Sequence, residues 1–150
     1  MKKVQLYADT SVFGGCYDNE FKNESCLLFD KIKQGEFLLI ISERTEQELL
    51  FAPTQVQDVL LNIPSDFVSK LWLSDEVLSL RNAYIEAGIL GKASIADAEH
   101  IAFATISDAD FIVSWNFKHI VHYDKIRAYQ AINKLYGYKE ILIYSPKEVV

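Results

Sequence analysis

Acidic residues fall repeatedly where an apolar run ends or a helix begins. Val4-Gln5-Leu6-Tyr7-Ala8 runs into Asp9-Thr10-Ser11, and Phe37-Leu38-Leu39-Ile40-Ile41 leads through Ser42 and Thr45 to Glu48. Ser94-Ile95-Ala96-Asp97 opens a further helical segment, and Phe111-Ile112-Val113-Ser114-Trp115 delivers Asn116. Three carboxylates and a carboxamide brought together would suit a hard divalent cation. Mg²⁺ and Mn²⁺ prefer carboxylate and water oxygens, and take one or two direct carboxylates while keeping several waters. An ion held this way activates water and steadies phosphoryl oxygens.

Each acid also has a plainer explanation. Asp9 or Ser11 could cap a following helical turn. Thr45-Glu46-Gln47-Glu48 fits the capping box, in which a helix-start Thr and a Glu three residues on satisfy each other's amides. Read alone, Glu48 is better explained by capping than by catalysis. Ser94-Ile95-Ala96-Asp97 fits the same template, but Asp97 shares a small, apolar helix face with Ile101 and Ala104. An acid buried there needs a partner, and a metal is one. His100 and His119 are read first as structural histidines, with helper roles as the alternative. Glu43, Glu46, Glu99, Asp108 and Asp110 are read as solvated. Helix phase turns Glu99 away from Asp97, and the last two acids precede a strand at its amino end.

The positioning elements follow from hydrophobic patterning. Runs 4–8, 37–41, 111–115 and 141–144 are rich in Ile, Val, Leu, Phe and Tyr and mostly lack alternation, as strands buried on both faces do. Helical spacing covers 25–34, 45–51, 56–63, 75–90, 95–107 and 125–136, with Gly35, Pro53, Pro64 and Gly137 as stops. Strands separated by helical segments predict an α/β fold, a parallel sheet of four or more strands between two helical layers. Ligands of such sheets sit outside the carboxyl ends of the strands, where Asp9, Ser42 with Glu48, and Asn116 lie.

The 150 residues read as one domain, 1–150, half hydrophobic and 13% aromatic, which excludes a disordered chain. No stretch approaches the roughly 20 apolar residues of a membrane span. Met1-Lys2-Lys3 precedes too short an apolar run for a secretion signal. Cys16 and Cys26 show neither metal-ligand spacing nor a disulfide framework, so reduced thiols and a cytoplasmic location are expected. The net charge of −6 argues against nonspecific nucleic-acid binding through the overall field. Lys118, His119, His122, Lys125 and Arg127 form a local basic stretch after Asn116, read as an ordinary solvated face.

Taken in order, these segments resemble the PIN-domain family of metal-dependent nucleases, which includes the VapC-type toxins. The carrying residues are Asp9-Thr10-Ser11-Val12, Ser42…Thr45…Glu48-Leu49, Asp97-Ala98…Ile101-Ala102…Ala104-Thr105 and Phe111-Ile112-Val113-Ser114-Trp115-Asn116-Phe117. The resemblance spans essentially the whole chain. It implies a Mg²⁺- or Mn²⁺-dependent endoribonuclease, with Asp9, Glu48 and Asp97 as metal-binding acids. The family's fourth acid falls on Asn116, a departure that removes a charge, and Ser114 replaces the usual Thr. The implied substrate contacts are Thr10, Ser11, Lys118 and His119. The implied partners are RNA, an antitoxin protein and a second copy of the chain, with no membrane.

Two other functions compete. A phosphotransferase with Asp9 as nucleophile would want a second acid two residues on, where this chain has Ser11. A degenerate nuclease fold would bind RNA or a protein without cutting, using aromatics such as Trp72, Tyr84, Trp115 and Tyr136. Gly14 and Gly15 form no nucleotide-binding pattern.

Overall fold

The computed structural model describes residues 2–150; Met1, where the N-terminal reading starts, lies outside the described residues. Five strands, β1 (Val4–Ala8), β2 (Phe37–Ser42), β3 (Val68–Leu71), β4 (Phe111–Val113) and β5 (Leu142–Tyr144), form one sheet in the order β3-β2-β1-β4-β5. Every pairing is parallel. The helices are α1 (Thr10–Gly15), α2 (Lys22–Lys33), α3 (Glu43–Leu49), α4 (Thr54–Leu61), α5 (Asp75–Glu86), α6 (Ile95–Ile106) and α7 (Tyr123–Leu135). The expected α/β fold with a parallel sheet between helical layers is the fold observed.

Strand side chains alternate between two cores, as the pleat requires. Leu6, Ala8, Leu39, Ile41 and Val113 pack with Val12, Leu28, Phe29 and Ile32 on one face. Tyr7, Ile40, Ile112 and Ile143 pack with Leu80, Tyr84, Ile101, Phe103 and Tyr129 on the other. This parity sends Tyr7 toward α6 and leaves Asp9, just past β1, at the strand's carboxyl end.

The strand β3 is absent from the sequence reading. Val68-Ser69-Lys70-Leu71 is short and partly polar because it is the sheet's edge, paired only with β2. Several helices start two or three residues before the predicted start. The shift matters most at α3. Its N-cap is Ser42, whose side chain accepts from the Thr45 amide at 3.3 Å, while the Thr45 hydroxyl receives the Ser42 amide at 3.2 Å. A capping box is therefore present, but Glu48 has no part in it. The solvated reading of Glu99 is also corrected, because this carboxylate is buried between two arginines. Of the other four acids so read, Glu43 accepts from the Leu73 amide, Glu46 pairs with Lys70 and Asp110 accepts from the Gln5 amide. Cys16 and Cys26 are free thiols, and burial together with Cys26 pushes the Cys16 thiol up to about 12.

Candidate functional site

The sheet order reverses between β1 and β4, which opens a crevice at their carboxyl ends. Asp9 closes the floor of that crevice. Its backbone amide donates to Val113 O at 3.3 Å, tying the end of β1 to β4. It occupies the N-cap position of α1 yet makes no side-chain cap bond. Its carboxylate instead receives the Ser11 hydroxyl on Oδ1 at 2.5 Å and the Ser114 hydroxyl on Oδ2 at 2.6 Å. Burial raises the Asp9 pKa and the Asp97 charge adds to the rise, while His100, Ser11 and Ser114 partly oppose it. A buried carboxylate served by two hydroxyls and facing a second acid has no capping role to explain it.

Glu48, in the last turn of α3, points across the same edge. Its Oε1 accepts from the Thr10 hydroxyl at 2.7 Å and meets His100 Nε2 at 2.5 Å. Burial alone would raise its pKa. The His100 hydrogen bond and charge, the Thr10 hydroxyl and the Arg44 charge together outweigh that and hold it below its ordinary value. Glu48 is therefore ionised at neutral pH and can only accept, so His100 Nε2 carries a hydrogen. The other ring nitrogen, Nδ1, lies 2.7 Å from the Tyr7 hydroxyl, which lies 2.7 Å from Ser42 Oγ. Burial keeps the Tyr7 phenol well above its ordinary pKa, so it stays protonated. In the neutral tautomer the chain runs one way: Ser42 to Tyr7, Tyr7 to His100, His100 to Glu48. Tyr7 is fully buried and His100 is 2% exposed. Replacing Tyr7 with Phe strands the His100 ring nitrogen in the core. Thermal unfolding of Tyr7→Phe is expected to show a loss of about 1–2 kcal/mol.

Asp97, in the first turn of α6, pairs with a different histidine. Its Oδ2 accepts from His119 Nδ1 at 2.9 Å, and Ser94 Oγ lies 3.3 Å from the same nitrogen. Ser94 holds the N-cap position of α6 without a side-chain cap bond, so the capping-box reading of Asp97 is also corrected.

Asn116 builds the loop that delivers His119. Its Oδ1 accepts from the amides of Lys118 at 3.2 Å and His119 at 2.9 Å. Its backbone carbonyl receives Ile120 and Val121 at 3.1 and 2.8 Å. The carboxamide oxygen offered by the sequence reading as a metal-side group thus serves a turn. Ser114 is shared: it donates to Asp9 and accepts from the Asn116 amide at 2.9 Å. The Ser11 oxygen receives the Trp115 amide at 2.9 Å. Trp115 stacks on Phe21 at 4.1 Å and donates Nε1–H to Ser25 at 2.8 Å. Gly15 makes this packing possible, since a β-carbon there would lie 2.7 Å from Trp115 Nε1.

The fold brings Asp9, Glu48 and Asp97 to one edge, with Thr10 and Ser11 turned inward onto acids and Lys118 exposed on the rim. Sequence reasoning missed Tyr7, and it placed Ser42 at the strand end without its bond to the Tyr7 hydroxyl. Tyr7 reads as an ordinary strand residue; only strand parity, pointing it at the His100 helix, could have flagged it.

The donor set is oxygen-rich and hard, as Mg²⁺ or Mn²⁺ requires. Among the described residues no three His, Cys, Asp or Glu side chains converge as a ready-made cage. These ions do not need one, since one or two carboxylates and retained waters suffice. Burial is the main reason that the Asp9 pKa is raised and repulsion from Asp97 a lesser one, and a bound cation would relieve both. The residues fit the group.

No protein-family model matches the sequence, and no curated protein matches it significantly. Solved structures do match. VapBC2 from Rickettsia felis, bound to a DNA fragment from its promoter, aligns with a TM-score of 0.57 at 14% identity, covering 95% of this chain and 98% of the other. FitAcB from Neisseria gonorrhoeae aligns with a TM-score of 0.56 at 14% identity and the same coverage. The likeness shows the fold, and it is the PIN, VapC-like fold that the chain's motifs resemble.

Proposed function

We propose that the protein is a Mg²⁺- or Mn²⁺-dependent endoribonuclease of PIN type, acting as the toxin of a toxin–antitoxin pair. The observation that carries the reading is Asp9: buried at the β1–β4 crevice, held by two hydroxyls, and set against Asp97. Asp9 and Asp97 would hold the ion, which when bound polarises the scissile phosphate and generates the attacking hydroxide from water. Glu48, fixed by Thr10 and the Tyr7–His100 chain, would accept a hydrogen bond from the nucleophilic water and orient it. Ser11 and Ser114 fix the rotamer of Asp9. Lys118 and His119, at the rim beside Asp97, would contact substrate phosphate, with Thr10 and Ser11 lining its approach. No side-chain nucleophile is needed.

A partner surface supports the toxin reading. Leu50, Phe51 and Leu61 are 73, 91 and 75% exposed, and a groove of about 300 Å³ runs between α3 and α4, lined mainly by Leu49, Leu50, Leu60 and Leu61. Apolar exposure of this kind suits a protein partner, an antitoxin or a second copy of the chain. Among the described residues no helix is long and apolar enough to cross a membrane, and the proposed location is the cytoplasm.

The second reading, a module that binds without cutting, is favoured by Asn116, whose oxygen is spent on two backbone amides. Asn116→Asp separates the two. Aspartate keeps the oxygen that holds the turn and adds the missing charge at that position. If the natural site is competent, cleavage of RNA with Mn²⁺ by Asn116→Asp stays within about threefold of wild type. A rise of about 100-fold, the scale of effect for groups that tune a metal site, would support an impaired natural site.

A further inference from the structure

Arg44 on α3 and Arg81 on α5 converge on one oxygen of Glu99 on α6, at 3.1 and 2.9 Å. The Glu99 side chain is 5% exposed, against 25% for Arg44 and 18% for Arg81. The anion is inside and two cations reach the surface over it. One carboxylate compensates one guanidinium, so the group carries a net positive charge on a chain whose total is −6. Arg44 Nε is buried without a hydrogen-bond partner among the described residues. Arg81 gives Nη1 to Glu99 and spends Nε and Nη2 on Asn82 at 3.2 and 3.1 Å, which fixes its fork.

The group sits beside the acids by construction. Arg44 and Glu48 lie four residues apart on one face of α3, just over one turn or about 6 Å along the axis. Glu99 and His100 are consecutive on α6. Arg44–Glu99 and Glu48–His100 are therefore two adjacent rungs between the same helices. A strand whose scissile phosphate lay over Asp9 and Asp97 would carry a neighbouring phosphate past the guanidinium rung. Guanidinium is the side chain best matched to phosphate oxygens.

We propose that Arg44 and Arg81, anchored by Glu99, form a binding subsite for a backbone phosphate of RNA adjacent to the one cleaved. The inference rests on the ribonuclease reading. It explains why a buried acid next to the site holds two arginines where one would neutralise it.

The test is binding of a short labelled single-stranded RNA by fluorescence anisotropy, in EDTA and over a range of NaCl. Arg81→Gln leaves Glu99 paired to Arg44. It is expected to weaken binding about tenfold at low salt and to flatten the slope of log K against log salt by roughly 0.7, the loss of one phosphate contact. Glu99→Gln removes the anion but keeps an acceptor, and should tighten binding severalfold. A folded Arg81→Gln protein with wild-type affinity and slope overturns the subsite. If Arg81→Gln fails to fold, Glu99→Gln decides: tighter binding supports the subsite, and unchanged or weaker binding overturns it. Wild type that binds no RNA overturns the subsite, while the ribonuclease reading stands or falls separately on cleavage with Mn²⁺; wild type that binds with no response to these changes removes the subsite alone.

Discussion

Asp9→Asn is expected to lower metal-dependent RNA cleavage by at least about 100-fold, the upper end of what losing a supporting group of a metal site costs. The same change should make the protein more stable. The wild-type carboxylate is buried and faces the Asp97 charge, so its ionised form is held at a cost that two serine hydroxyls only partly offset. Asparagine keeps one oxygen for Ser11, and the Ser114 hydroxyl can turn to accept from the new amide. Removing a buried charge at a functional site commonly yields about 1 kcal/mol, or roughly 2–4 °C in Tm for a chain of this size. The pH dependence has a definite sign. The folded pKa of Asp9 lies above its ordinary 3.8, so between those values the folded protein binds a proton that the unfolded chain has released. Its penalty is complete above the folded pKa and disappears as pH falls below about 3.8. The stability advantage of Asp9→Asn, measured by thermal melts, should therefore be largest at neutral pH and shrink on acidification. An inactive and less stable variant would show that Asp9 is a structural group.

His100→Ala should be the most destabilising single change at the site. The ring is 2% exposed and satisfies Tyr7 on one side and Glu48 on the other. Truncation leaves a cavity beneath α6, a phenol without its acceptor and a carboxylate without its strongest partner. Together these amount to roughly 3 kcal/mol. Glu48 has the opposite linkage to Asp9. Its folded pKa is depressed, so its stabilisation is present above the ordinary 4.5 and is lost as pH falls through the lower folded value. The stability gap between wild type and His100→Ala should accordingly narrow below about pH 4.5. Denaturant titrations at two pH values check this. A gap that is constant with pH would mean that the histidine contributes packing alone.

The sheet was largely legible because buried parallel strands write themselves as unbroken apolar runs. β3 was not, since an edge strand faces solvent on one side and Val68-Ser69-Lys70-Leu71 carries that polarity. Asp9 and Asp97 were singled out because an acid after a buried run, or on a small apolar helix face, has few explanations. Glu48 was singled out with the wrong competitor beside it, since the capping box excludes it. The capping-box pattern fits at Thr45, but the helix starts three residues earlier, with Ser42 as N-cap and the Thr45 hydroxyl in the place of the usual Glu. Glu99 was misread because helix phase says which way a residue points but not what another helix brings to meet it. Asn116 was noticed for the charge it lacks, whereas its structural work is local, an oxygen ordering the turn that carries His119. Tyr7 was invisible for the same reason as Glu99: its partner arrives from 93 residues away.

The most direct measurement is cleavage of single-stranded RNA by the purified protein with Mn²⁺, beside Asp9→Asn, Asp97→Asn and an EDTA control. The account predicts metal-dependent cutting by wild type that EDTA abolishes and both substitutions reduce by about 100-fold or more. Metal-dependent cutting that survives both substitutions, or a folded wild type that binds RNA and never cuts it, would contradict the account.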